Sequence, residues 1–188
     1  MNYLTNFYDK LCDMSLKCVK KIDYKDIPEL KNILIISVIE EARVRTFVEG
    51  LKSCFPNINI IIVVQNYVYE GFCKSFGEEC KIISWNGSYT LSLIDRVSEL
   101  IDVRLLEAMA FFSDFPVNIR DKNFLEIYSV IKAKSNLRLY SNVIGNELFE
   151  VINVEILQQI IRVYEETAKL LEIILEEEDN EYRNFVAD

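Results

Sequence analysis

Two adjacent carboxylates, Glu40 and Glu41, end the apolar run Asn32-Ile33-Leu34-Ile35-Ile36-Ser37-Val38-Ile39, and two guanidinium groups, Arg43 and Arg45, follow closely. A carboxylate at the end of a strand can take a proton from a sugar hydroxyl, and an arginine at a helix start can hold a phosphate. Glu40 and Glu41 are therefore the candidate catalytic groups, and Arg43 and Arg45 the first candidate ligand contacts. A plainer role competes: glutamates in a first helical turn meet the helix dipole favourably. No glycine in this loop lets a phosphate approach the backbone closely. A second group, Trp85, Asn86 and Tyr89, can stack on and hydrogen-bond a sugar or base, although a tryptophan at a strand end also suits the core. A third, Asn118 and Arg120, lies in the polar stretch 113–121, where Asn118 serves equally well as a helix cap.

Composition removes several chemistries. The 188 residues contain no histidine, which excludes imidazole acid-base catalysis, Ser-His and Cys-His dyads and histidine-based metal sites. The five cysteines form no C-x-x-C pair, and their odd number is no disulfide framework. They are expected to be reduced and mostly buried. No metal and no cofactor is implied. A net charge of −9 opposes a polyanionic partner, and Lys17, Lys20, Lys21 and Lys25 are interleaved with Asp13, Asp23 and Asp26, as on a solvated helix face. No nucleic-acid binding is expected. The apolar stretches are strand-length, short of the roughly 20 residues a bilayer requires, and the N-terminus lacks a basic region followed by an apolar block. A cytoplasmic location and no membrane span are expected.

These candidates need a scaffold that brings strand ends together. Apolar runs alternate with helical patterns along the chain, the signature of βαβ units around a sheet buried on both faces. The pattern predicts a single α/β domain, a three-layer Rossmann-like sandwich with a mainly parallel sheet of about five strands. An N-terminal helical lead-in occupies 1–28, with a helix over 3–22. The core spans 29–150, and a long C-terminal helix with an acidic tail spans 151–188. Strands are expected at 32–39, 58–64, 81–85, 103–112 and 137–141, the fourth being ambiguous because it is rich in helix formers. Helices are expected at 41–54, 67–76, 90–101, 118–134 and 154–178. Ligands of such sheets bind beyond the carboxyl ends of the strands, which singles out the loops 38–43, 65–68, 85–89 and 113–121.

The C-terminal helix carries Leu157, Ile161, Tyr164, Ala168, Leu171 and Leu175 at alternating spacings of four and three. That is a heptad seam, suited to a homodimer, but a helix covering its own sheet needs the same stripe. A second row, Ile156, Ile160, Val163, Leu170 and Ile174, widens it. The acidic run 176–181 is expected to be solvated and frayed.

The order of the Ile33-Leu34-Ile35-Ile36-Ser37 strand, the Glu40-Glu41 loop and a helix closing on Leu51-Lys52-Ser53-Cys54-Phe55-Pro56-Asn57-Ile58-Asn59-Ile60 resembles the N-terminal half of heptosyltransferase-like glycosyltransferases of the GT-B, family 9 type. The likeness extends over about residues 32–150 in element order. In that family the strand enters a Gly-Asp loop whose acid is implicated in catalysis, and the helix ends in a similar Leu-x-x-x-Phe-Pro phrase. Here Glu40-Glu41 replaces Gly-Asp, so at most one of the pair stands in for the family acid. The chain also leaves no room for a second, donor-binding half. The resemblance implies a noncatalytic or partner-dependent glycosyltransferase-like module in surface-polysaccharide or glycoprotein synthesis, with a nucleotide sugar or phosphosugar and a partner chain as candidate partners, and not an independent enzyme. A dimeric scaffold or interaction protein and a regulatory small-molecule-binding Rossmann-like domain are the alternatives.

Overall fold

The structure, a computed structural model, describes residues 2–37, 41–86, 90–112, 122–134, 136–142 and 147–187. The strongest β-forming runs make its centre. Ile33–Ile36 and Ile60–Val64 are almost wholly branched residues, stiff at χ1 and well matched to a pleated surface. They form β2 (Asn32–Ser37) and β3 (Asn59–Gln65), which pair in parallel with Ile33 opposite Ile60. β4 (Lys81–Trp85) adds to β3, β5 (Ala108–Phe112) adds to the other side of β2, and β6 (Arg138–Asn142) adds to β5, all in parallel.

The sheet is larger and less uniform than the expected five strands. β7 (Leu148–Val151) and β1 (Val19–Ile22) extend it antiparallel beyond β6, giving a mixed seven-stranded sheet of order β1-β7-β6-β5-β2-β3-β4. The lead-in therefore divides: α1 covers Asn2–Leu16, and the segment expected to complete its helix is the edge strand β1. Lys20 and Lys21 are exposed strand residues, and Lys21 Nζ lies 2.8 Å from Glu147. Charge of this kind protects an edge against pairing with another chain.

Alternating side chains sort the core into two layers. Ile33, Ile35, Ile60, Ile62, Ala108 and Ala110 face α2 (Glu41–Cys54) and α3 (Tyr69–Phe76). Leu34, Ile36, Ile61, Val63, Met109 and Phe111 face the opposite layer, α1, α4 (Thr90–Leu100), α5 (Lys122–Lys132) and α6 (Val154–Ala187). The ambiguous stretch resolves as a short 3₁₀ turn at Val103–Leu105 followed by β5. All five β5 residues are buried, because the strand lies between β2 and β6 with helices on both faces. Burial on both faces overrides the helix propensity of Ala108, Met109 and Ala110. Glu107 then fixes the start of β2 by accepting hydrogen bonds from the backbone N–H groups of Lys31 (2.8 Å) and Asn32 (3.2 Å).

On the α2 layer, Phe47 is wedged between Tyr24 and Phe112, with ring centroids 6.1 and 5.1 Å away. The Tyr24 ring lies over Gly50, where a Cβ would collide with it.

α6 is 34 residues long, reaching past the expected end at 178 and carrying the acidic run within it. At 1.5 Å per residue it spans about 51 Å. Leu157 and Ile160 are buried in the domain's own core and Tyr164 packs against it, whereas every residue from Glu172 to Ala187 is exposed. Among the described residues, no helix is long and apolar enough to cross a membrane.

Candidate functional site

The five parallel strands run in the order β4-β3-β2-β5-β6, so the chain sequence of the strands reverses between β2 and β5. A crevice forms at such a reversal because the connections on either side depart to opposite faces of the sheet. The two layers described above show that departure: α2 and α3 on one face, α4 and α5 on the other.

Of the candidate carboxylates, Glu41 is the first residue of α2, and Glu40 lies outside the described residues. The Glu41 side chain turns away from the reversal toward α3, where it accepts a hydrogen bond from the Ser75 hydroxyl. It passes so close to Gly71 that a Cβ there would displace it. Arg45, one turn along α2, points the same way. Its Nη2 donates to the Ser75 carbonyl at 2.6 Å, its Nη1 is 3.8 Å from Glu49, and its guanidinium stacks 4.6 Å from the centre of the Phe76 ring. Glu41 and Arg45 thus tie α2 to α3, which places two of the expected site residues in structural work.

Arg43 has a different outlook. It shares its side of α2 with Phe47, four residues on, and Phe47 packs on Phe112 at the carboxyl end of β5. Arg43 therefore stands on the β2/β5 side of the helix. Its Nη1 is buried and has no hydrogen-bond partner among the described residues, an arrangement that costs free energy unless an acceptor arrives.

Among the described residues, two clefts open at the carboxyl ends of β2, β3 and β4. One, of about 440 Å³, lies between α2 and α3 and is lined by Glu41, Ala42, Tyr67, Val68, Gly71 and Phe72. The other, of about 180 Å³, is lined by Asn66, Ser84, Trp85, Asn86, Ser92 and Arg96. Trp85 is 7% exposed, and its indole Nε1 is buried with no hydrogen-bond partner among the described residues. Arg96 donates to the Ser84 carbonyl at the same spot. The Tyr69 phenol titrates above its ordinary value, first because its side chain hydrogen-bonds Cys73, while the nearby Arg96 charge pulls the other way. Amide, hydroxyl, indole and guanidinium groups on one small cleft can bind a hydroxylated or anionic ligand. They offer no general base.

The neighbours Trp85 and Asn86 both line the smaller cleft, Trp85 also being part of the buried core, and Tyr89, Asn118 and Arg120 lie outside the described residues. Asn66 and Tyr67 fall in the 65–68 loop that the strand pattern had marked. Ser92 and Arg96 were missed. They sit one turn apart on α4, and only that spacing signalled a shared face. A third cleft, of about 660 Å³, includes Phe55, Pro56 and Asn57, but it opens at the amino ends of β2 and β3, opposite the crevice. No family model matches the chain, and no curated protein matches its sequence.

Proposed function

We propose that this chain is a Rossmann-like, glycosyltransferase-like module that binds a nucleotide sugar or phosphosugar and does not transfer sugar on its own. The observation that carries the proposal is the parallel order β4-β3-β2-β5-β6, reversing at β2/β5, with one cleft between α2 and α3 and a second, lined by polar groups, beside the carboxyl end of β4. Open α/β sheets bind ligands beyond the carboxyl ends of their strands, at the switch in strand order, and Arg43 stands on that side of α2. The guanidinium groups of Arg43, on the β2/β5 side, and Arg96, in the cleft beside β4, supply donors for phosphate and sugar oxygens.

The catalytic part of the resemblance is weaker. Glu41, the described counterpart of the family acid, is occupied by Ser75 and faces away from β5. A partner-dependent role in surface-polysaccharide or glycoprotein synthesis follows, with the remaining wall of the site and any catalytic base coming from another polypeptide segment.

A thermal-unfolding screen against nucleotides, nucleotide sugars and phosphosugars tests the proposal, because a ligand that binds only the folded state raises its stability by about 2.7 kcal/mol at a hundredfold excess over Kd. Stabilisation by one ligand class is expected. No shift across the panel, or sugar transfer by the isolated chain, would overturn it.

A further inference from the structure

Among the described residues, the end of α6 carries an apolar side with nothing packed on it. From Glu172 to Ala187 every residue is exposed, so 16 residues of the helix stand clear of the domain, an overhang of about 24 Å at 1.5 Å per residue. Its apolar side is the continuation of the stripe that buries Leu157, Ile160 and Tyr164 in the core. At the same helical spacing come Leu175, 62% exposed, Tyr182, 69%, and Phe185, 83%. A helix this short is marginal alone in water, and most helix stability comes from packing of an amphipathic face. The overhang is a helix built for an occupant.

Charge identifies which. Glu172, Glu176 and Asp179 follow one edge of the stripe at helical spacing and Glu181 the other, while Glu178, three residues after Leu175 and four before Tyr182, stands within the stripe. With Glu177 the overhang carries six carboxylates against one cation, Arg183. Two copies laid together in either direction set these edges against their own kind, and flanking charges of one sign select against self-pairing and for an oppositely charged partner. We infer that residues 172–187 of α6 dock a basic amphipathic helix of another protein, about two heptads long, with an apolar seam flanked by Lys or Arg. The inference deepens the partner dependence proposed above by naming the partner's chemistry. It is tested apart from ligand binding, so either can fail alone.

The test uses the full chain and three synthetic peptides: a Leu/Ile seam flanked by Lys, the same seam flanked by Glu, and the Lys peptide with its seam scrambled. The Lys-flanked peptide should bind at least about tenfold more tightly than either control, and more weakly as salt is raised. Leu175→Ser and Phe185→Ser should each remove that binding without moving the melting temperature, since both side chains are exposed. Light scattering should find the chain alone monomeric. A dimer dispersed by Leu175→Ser would assign the face to a second copy. Equal binding of the Lys and Glu peptides, binding unaffected by Phe185→Ser, or no binding of the Lys-flanked peptide would each overturn the inference.

Discussion

Glu41 at the start of α2 accepts a hydrogen bond from the Ser75 hydroxyl on α3, and the same serine's carbonyl receives Arg45 at 2.6 Å. One residue thus engages both a carboxylate that the sequence offers as a proton acceptor and one of the arginines that it offers as a phosphate contact. Ser75→Ala should lower stability by roughly 1 kcal/mol, the usual net value of a hydrogen bond. For a chain of this size that is a fall in melting temperature of about 2–4 °C. Glu41→Gln should behave similarly, and the double variant should lose less than the sum, because the two side chains share one interaction. Additive losses in denaturant titrations would separate them.

Phe47 joins the helix layer to the sheet through Tyr24 and Phe112. It is fully buried, so Phe47→Ala should cost about 3–5 kcal/mol. Equilibrium unfolding in urea reads the loss directly. A cost under 1 kcal/mol would mean that the neighbouring rings collapse into the space.

The cysteines should divide by depth. Burial pushes the Cys80 thiol up to about 11 and raises Cys18 as well, while Cys54 is exposed. Because folding raises the Cys80 pKa, its contribution to stability is whole below the ordinary thiol range and is lost as pH rises through about 11. At pH 8 a thiol reagent should therefore modify Cys54 readily and spare Cys18 and Cys80 until the protein unfolds. Mass mapping of the adducts checks this, and early labelling of Cys80 would contradict its burial.

Trp85 is the only tryptophan, so its emission reports on one place. A buried indole beside Arg96 should emit at short wavelength and shift when a phosphosugar or nucleotide sugar enters the cleft. Arg96→Ala should weaken that response by about tenfold or more, the loss of a charge-assisted contact of roughly 1.5–3 kcal/mol. An unchanged titration would remove Arg96 from the site.

Much of the scaffold was legible because its signals are local. Val44, Phe47, Val48 and Leu51 repeat at helical spacing, and α2 runs from Glu41 to Cys54 as that pattern predicts. β2, β3 and β4 follow from short branched runs between turn residues. β1 and β7 were not legible. Each has four residues, too few for a period, and Lys20 and Lys21 look the same on a helix surface as on an edge strand. The site divides similarly. Trp85 and Asn86 adjoin a strand end and could be named, whereas the engagement of Glu41 by Ser75 spans 34 positions and depends on how two helices pack. No spacing in the sequence encodes it. The acidic residues after Leu175 read as a solvated, frayed end, and they are indeed exposed, but on a continuous α6 that also carries Tyr182 and Phe185.

The central claim is that the carboxyl-end clefts hold a sugar-bearing phosphate ligand without transfer. The most direct measurement is titration of Trp85 emission with nucleoside diphosphate sugars and phosphosugars, with donor consumption followed in the same samples. A saturable shift for one ligand class, weakened by Arg96→Ala and unaccompanied by consumption of the donor, is the predicted result. No saturable shift with any of these ligands, or steady turnover by the chain alone that Glu41→Gln abolishes, would contradict it.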